Sequence, residues 1–231
     1  FFFLMIARPP ISTLFTYPTL FRSYTQGRAK QPPMSIQAHF GVRKDLGVYA
    51  QSTTFWTNSN IFQPGLLLDI YGKRGPLAGP AMKYDYSDDP DWQQVGKLES
   101  GFIQDHGNRG LDSLGNPIPE NRFFVDWQHR GTLDGVVDLN GSLAWWRDSY
   151  TLRDFRQSDW SANQLPDNFL EASHAEQNAI VSAFARFNPN DFELVQQRLP
   201  ETRLDYFASP VGNTGIYQEG QADDVQLTQC N

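Results

Sequence analysis

The residues that could do chemistry in this sequence are few and scattered. The four histidines, His39, His106, His129 and His174, lie far apart in the chain. Histidine-containing metal sites are usually recognised from short, repeated ligand spacings, and these histidines show none. An isolated histidine on an alternating strand is most simply a structural residue. We therefore predict that none of the four is a metal ligand or a catalytic base.

An acidic stretch of the sequence raises the question of a calcium site. Asp85, Asp88, Asp89 and Asp91 fall in the segment DYSDDPD, but it lacks the glycine that an EF-hand loop needs at its sixth position. A solvated turn explains it better. The sequence also contains no phosphate-binding loop, no nucleophile elbow and no dinucleotide-binding glycine pattern. It therefore predicts no catalytic residue, no cofactor and no bound metal, and a protein that is not an enzyme.

Composition excludes several classes of protein. The 231 residues include 19 Lys and Arg against 26 Asp and Glu, a net charge of −7, which argues against nucleic acid as a partner. The hydrophobic fraction of 39% is too high for a disordered chain. No run of about 18 apolar residues predicts a transmembrane helix. The 14% aromatic content suits a β protein, including a membrane barrel. The strands of such a barrel are not detected by a hydropathy window, because their residues alternate between polar and apolar.

The two ends of the chain look unlike the middle. Residues 1–23 (FFFLMIARPPISTLFTYPTLFRS) lack the basic start and the small-residue cleavage site of a signal peptide. They resemble the translation of a sequencing-library adaptor, so we expect them to carry no fold information. We expect residues 24–231 to be an internal piece of a longer domain. The single cysteine, Cys230, cannot form an internal disulfide and is interpreted as incidental.

The middle of the chain alternates between polar and apolar residues, the period of a β-strand. Residues 105–121 and 148–167 are predicted to be loops from their composition, and residues 73–76 a turn. The sequence therefore predicts an all-β protein built as an antiparallel meander. The clearest strands cover residues 36–42, 48–56, 66–71, 82–86, 92–104, 123–130, 137–145 and 203–208.

One segment is ambiguous. In residues 169–187, alanines recur at helical spacing, and Pro166-Asp167 could begin a helix. Residues 179–187 also alternate in the manner of a strand. Periodicity alone favours the helix slightly, so the segment is left open between a helix and a strand hairpin at this point.

Four stretches resemble, in the same order, the start of the barrel in the lipopolysaccharide-assembly outer-membrane protein family (LptD, also called OstA). The most specific is RFFVDWQHRGTLDGVVDLNGSLAWWRDSYTLRDF, residues 122–155. The others are LLLDIYGKRGPLAGPAMKYDY at 66–86, QRLPETRLDY at 197–206 and GIY at 215–217. The chain departs from the family in lacking its interdomain cysteines, and in having no proline within residues 48–56 and 66–73.

The resemblance implies a partial, open outer-membrane β-barrel in a Gram-negative bacterium. The whole protein would insert lipopolysaccharide into the outer leaflet without catalysis, through a lateral seam between its first and last strands. Its partners would be lipopolysaccharide, a plug lipoprotein of the translocon, a periplasmic lipopolysaccharide-bridge protein and outer-membrane lipid. The resemblance also implies a strand hairpin, not a helix, over residues 174–197.

Roles for individual residues follow from the resemblance and from the alternation. By resemblance, the candidate seam strand contains Val48, Tyr49, Ala50, Gln51, Ser52, Thr53, Thr54, Phe55 and Trp56. The alternation then makes a polar set lumen-facing: Asp69, Asp126, Gln128, Arg130, Asp138 and Asn140. The apolar set between them would face lipid: Phe123, Val125, Trp127, Leu139, Leu143 and Trp145. A one-residue slip in register would invert every assignment.

Two alternatives remain open from the sequence. One is a different outer-membrane barrel, such as a porin or a receptor. The other is a soluble β-sandwich or β-solenoid that binds carbohydrate through exposed aromatic residues. The six tryptophans fall mostly near candidate strand ends, which fits the aromatic girdles of membrane barrels as well as ordinary sheet packing. For a barrel piece with two open edges, we expect the isolated chain to aggregate without detergent.

Overall fold

The alternating segments form the strands of one antiparallel sheet in the computed structural model of this chain. The structure describes residues 33–57, 59–89, 91–164, 167–193, 195–212 and 215–228, all within the unit Pro32–Asn231. Residues 1–23, which resemble an adaptor, and Cys230 lie outside the described residues.

Within the described residues, eleven strands follow one another in chain order, each antiparallel to the next. The sheet is open, because β1 and β11 each pair on one side only. The predicted all-β antiparallel meander is therefore confirmed. The strands are β1 (Met34–Arg43), β2 (Gly47–Trp56), β3 (Phe62–Tyr71), β4 (Gly75–Asp85), β5 (Trp92–Gln104), β6 (Asn121–Leu133), β7 (Val137–Trp146), β8 (Phe169–Ala175), β9 (Ala179–Arg186), β10 (Gln197–Pro210) and β11 (Tyr217–Thr228).

The ambiguous segment is a strand hairpin. β8 and β9 pair with His174 opposite Val181, and the backbone N–H of Glu176 donates to the Ala179 carbonyl across the turn at 2.8 Å. The strand prediction is confirmed, but its bounds were wrong: the hairpin covers residues 169–186 rather than 174–197. Pairing with β7 and β10 on either side overrides the weak helical spacing of the alanines.

Two of the predicted connections also differ from the structure. The predicted turn at residues 73–76 is shorter, because β4 already begins at Gly75 and Pro76 pairs opposite Ile70. The stretch was predicted to be a turn because glycine and proline are typical turn residues, although here they begin a strand. The predicted loop at residues 148–167 contains two short helices, α1 (Thr151–Phe155) and α2 (Gln157–Ala162).

The connections divide the sheet into two unlike ends. At one end, which we call the turn end, the strands are joined by the short segments 57–61, 86–91, 134–136, 176–178 and 211–216. At the other, which we call the loop end, two connections are equally short, 44–46 and 72–74, and the three long ones are 105–120, 147–168 and 187–196.

The sheet curls around the connection between β7 and β8. The Phe155 carbonyl accepts a hydrogen bond from Gln51 of β2, while the Phe155 ring lies 4.9 Å beneath the guanidinium of Arg122 on β6. In a flat sheet β2 and β6 would be four strand spacings, or about 19 Å, apart. One phenylalanine reaches both because the strands bend towards it.

Candidate functional site

The two faces of the sheet can be assigned from the strand register. Asp69 lies opposite Gln51 and Leu77, Leu77 opposite Ile103, and Ile103 opposite Arg122. Directly paired residues share a face, so these five side chains define one face, which α1 contacts. We call it the inner face, and the opposite one the outer face.

In strands β1–β9 charge is confined to the inner face, whereas Asp224 of β11 lies on the outer face. Within the described strands β1–β9, the register puts no Asp, Glu, Lys or Arg on the outer face. Random placement would distribute charges over both faces, so this separation indicates two different surroundings. The charged residues of these strands, all on the inner face, are Arg43, Asp69, Lys83, Asp85, Lys97, Glu99, Arg122, Asp126, Arg130, Asp138, Glu171 and Arg186.

The residues predicted to face a lumen share this inner face. Asp126, Gln128 and Arg130 on β6 alternate there, and Asp138 and Asn140 follow on β7. The Asn140 amide donates to Glu171 on β8 at 3.3 Å. Asp69 is separate from these five, fully buried near the loop end.

The residues predicted to face lipid share the outer face. Trp127 lies opposite Leu143, Val125 opposite Trp145, and Leu139 opposite Gly131. Phe123 packs edge-on against Trp145 with ring centroids 4.9 Å apart. The outer face also leaves large apolar side chains open, including Phe40 (72% exposed), Val48 (70%) and Ile70 (56%).

The candidate seam strand is not an edge of the described sheet. Residues Val48–Trp56 belong to β2, which pairs with β1 on one side and β3 on the other. The exposed edge next to it is β1 (Met34–Arg43). The inner-face residues Gln51 and Thr53 of β2 contact Phe155, the last residue of α1, and Arg156, which follows it.

The tryptophans divide between the two faces. Trp56 and Trp92 lie on the outer face at the turn end, and Trp145 on the outer face at the loop end. Trp127 lies on the outer face at mid-strand. Trp146 is buried on the inner face, so only part of the set lies at the strand ends of the outer face.

A buried ion network closes the inner face at the loop end. Arg74 donates to both oxygens of Asp105 at 2.6 Å. Arg122 donates to both oxygens of Asp148 at 2.9 Å and reaches Asp105 at 3.2 Å. Asp154 of α1 accepts from Arg122 at 2.8 Å and from Arg74 at 3.3 Å. The network therefore joins three successive loop-end connections.

A second buried pair holds the residue between the two helices. Arg156 donates to both oxygens of Asp69 at 2.8 and 2.9 Å, and the hydroxyl of Tyr71 lies 3.0 Å from the same carboxylate. Neither helix has a side-chain N-cap, and each is far too short to be stable alone. Tertiary contacts therefore hold them on the inner face.

An apolar cluster surrounds these ions and excludes water from them. Leu152 and Phe155 of α1 enter it from the connection, and both are buried. The strands and the first turn contribute the rest: Leu46, Leu67, Tyr71, Leu77, Ile103, Phe124, Ala144 and Trp146.

The network also lowers the pKa of one of its acids, Asp105. Burial alone would raise the pKa of the Asp105 carboxyl. Hydrogen bonds from Arg74 and from the Gly107 backbone N–H, the positive charge of Arg74 and a hydrogen bond from Arg122 outweigh it, so the pKa of Asp105 lies below its ordinary value. The carboxylate is therefore held ionised next to two arginines.

Sequence reasoning did not select the network residues. Asp148 and Asp154 looked like ordinary loop charges, and Arg122 like the start of a strand. The available signal was weak: Arg122 directly precedes the apolar pair Phe123-Phe124, where an unpaired charge would be costly.

The sheet presents a polar inner face that can bind polar groups and an apolar outer face that can contact apolar surroundings. The part of the chain that the structure describes shows no catalytic geometry. Over those residues no group of three or more His, Cys, Asp and Glu side chains is placed to hold a metal ion. Among the same residues, no helix is both long and apolar enough to cross a membrane. No protein-family model matches this chain, and no curated protein matches it either.

Removing the central arginine should loosen the loop end. In Arg122→Met, Asp105 and Asp148 lose charge-assisted partners while buried, so we expect a loss of about 3–5 kcal/mol in the free energy of unfolding. Urea titration of the chain folded in detergent micelles would measure it. As a matched control, Arg203→Gln breaks an exposed pair with Asp205 and should leave the transition almost unchanged. Equal midpoints for both variants would contradict a structural role for the network.

The depressed pKa of Asp105 gives the network a pH dependence of known sign. Because the pKa is lowered on folding, its contribution is complete above the ordinary aspartate pKa of about 3.9 and is lost as pH falls through the lower folded value. We expect wild type to exceed Asp105→Asn in unfolding midpoint at pH 7, and the difference to shrink towards pH 2. A difference that stays constant over this range would show that the ionised carboxylate is not what stabilises the loop end.

Proposed function

We propose that this chain is part of the wall of an outer-membrane β-barrel that inserts lipopolysaccharide into the outer leaflet. The observation that carries the proposal is the confinement of charge to one face over nine consecutive strands, β1–β9. Barrel strands in a membrane alternate in this manner, with an apolar face towards lipid and a polar face towards the lumen.

The dimensions of the apolar face suit a bilayer. On β5 the outer-face aromatic residues Trp92 and Phe102 are ten residues apart, about 33 Å along a strand. At the strand tilt of about 40° usual in membrane barrels, this corresponds to a height of about 25 Å, the height of their apolar band. Trp92 and Phe102 would then mark its two borders.

The distribution of connections supports the same location. Outer-membrane barrels have short turns on the periplasmic side and longer loops outside. In this sheet the three long connections are all at the loop end. The turn end would therefore face the periplasm and the loop end the exterior.

The apolar outer face disfavours the soluble alternative. A soluble carbohydrate-binding module would have to cover, or expose to water, a surface that includes Phe40, Val48 and Ile70. Exposed apolar patches of that extent are unusual on soluble monomers. Lipid is the surrounding in which such a face is stable.

Lipopolysaccharide as the cargo is supported by the four co-linear stretches that resemble the lipopolysaccharide-assembly family. The transport would be physical: sugars pass along the polar inner face, and acyl chains leave between strands. A wide barrel needs more strands than these, and its edges must be paired within lipid. A plug lipoprotein and a periplasmic bridge protein would be its partners.

A charge placed on either face tests the membrane location. We expect Leu98→Lys, at the middle of β5 on the outer face, to cost about 2–4 kcal/mol in lipid bilayers. The matched control Ser142→Lys places the same charge on the inner face of β7 and should cost less than about 1 kcal/mol. Urea titration in vesicles would compare them. Equal costs would argue against lipid at the outer face.

Photo-crosslinking tests the cargo. With a photoreactive residue at Asn140 on the inner face, irradiated cells that make the chain should yield a lipopolysaccharide adduct. The adduct should fade once the supply from the inner membrane is blocked, because cargo in transit then runs out while the outer leaflet keeps its lipid. A porin or receptor wall would give no supply-dependent adduct, and that outcome would refute the transport proposal.

A further inference from the structure

We propose that a groove on the inner face, near the turn end, binds a phosphorylated saccharide. The inference deepens the proposed function, on which it rests, by naming the part of the cargo that the wall recognises. It comes from the shape of the groove, from its cations and from the amides beside them.

The groove has a volume of about 560 Å³ and crosses β4, β5 and β6. This is within the usual range for small-molecule sites. Three successive residues from each strand line it, 83–85, 95–97 and 128–130. The first and third residues of each triplet have their side chains on the inner face, and these side chains form the walls of the groove. The middle members Tyr84, Gly96 and His129 point to the outer face, so their backbone forms its floor.

Contacts on the other side of the sheet keep this floor in place. The Tyr84 hydroxyl lies 2.7 Å from Nδ1 of His129, and Trp127 stacks on the His129 ring at 5.6 Å. The Tyr84 ring covers Gly96 so closely that a Cβ there would lie 2.2 Å from it. The floor is therefore bare and rigid, as a preformed binding surface requires.

Two of the cations in the groove have no acidic partner. Lys83 and Lys97 lie directly opposite each other, a pairing that destabilises a sheet unless the charges are compensated. Glu99 compensates Lys97 at 2.9 Å. In the part of the chain that the structure describes, Lys83 and Arg130 have no carboxylate within 4.0 Å, whereas the other strand cations of β1–β9 do: Arg43, Lys97, Arg122 and Arg186. The Lys83 ammonium instead lies over the Phe55 ring, 4.1 Å from its centroid, a contact that leaves its positive charge without a carboxylate.

An anion is the ligand that this arrangement lacks. Asp85, an acid that lines the groove, accepts a hydrogen bond from the Ser87 backbone N–H at 3.0 Å. Arginine binds phosphate through paired hydrogen bonds, and lysine adds a point charge. A phosphate in the groove would offset the charge of Arg130, and Lys83 would add a second contact by turning from the Phe55 ring.

Amide side chains add recognition of a sugar. Gln63 and Gln128 line the groove beside the cations, and Asn60 lies at its turn-end rim. Each amide offers a donor and an acceptor, the pair that a sugar hydroxyl can use. A phosphate joined to a saccharide fits this combination better than a free phosphate, which would leave the amides unused.

A binding experiment tests the groove directly. The full chain, folded in zwitterionic detergent micelles, would be titrated by calorimetry with glucose 1-phosphate, glucose and inorganic phosphate. We expect the double variant Lys83→Gln/Arg130→Gln to bind glucose 1-phosphate at least about ten-fold more weakly, since each charge-assisted hydrogen bond is worth about that factor. Lys44→Gln, in the β1–β2 turn, is the matched control and should bind as wild type does.

The outcomes separate the steps of the inference. Retained binding in Lys83→Arg/Arg130→Lys supports a charge-based site and guards against a misfolded double variant. Glucose binding as tightly as glucose 1-phosphate, unchanged affinity in the double variant, or no binding by wild type would overturn the proposal. Inorganic phosphate binding as tightly as glucose 1-phosphate would overturn its saccharide part. The titration needs no membrane transport, so its failure is distinct from the absence of the Asn140 adduct, which bears on the proposed function.

Discussion

The separation of charge between the two faces is the constraint on which the rest of this structure depends. In β-strands the side-chain period is two, so each charged strand of β1–β9 has a single register that keeps its charges on the inner face. A slip of one residue in β6 would turn Arg122, Asp126 and Arg130 outward together. In lipid each such charge would cost about 2–4 kcal/mol near the midplane. The environment that we propose would thus fix the register more firmly than backbone hydrogen bonding alone.

The inner face must in turn accommodate the charges that it receives. Towards the turn end they meet open space and can be solvated. At the loop end they are covered by Leu152, Phe155 and the apolar cluster, where an unpaired ion would be very costly. Arg122 and Arg74 are therefore matched with carboxylates from two connections, 105–120 and 147–168. The burial that α1 provides and the pairing that the ions provide depend on each other, which explains how two uncapped helices are held in place.

The sequence predicts the regular part of this architecture because alternation is a local signal. The strands around residues 36–42, 92–104 and 123–130 were predicted closely. The failures were all cases in which distant contacts decide. α1 and α2 are stabilised by partners such as Asp69, 87 positions from Arg156. β4 starts among glycine and proline because β3 and β5 pair with it. The ion network could not be recognised until its connections were brought together.

The contrast between the two ends bears on how a transported lipid would leave. At the loop end the inner face is filled by packed side chains and by ions with fixed partners, so straight passage past it would require breaking buried pairs at a cost of about 3–5 kcal/mol each. At the turn end the groove with Lys83 and Arg130 is open. Under the proposed function, cargo that arrives from the turn end meets cations first and a closed loop end afterwards. An exit between strands would leave those buried ion pairs intact. Under the proposed function, the open edges β1 and β11 are where the closing strands of a complete barrel would have to pair.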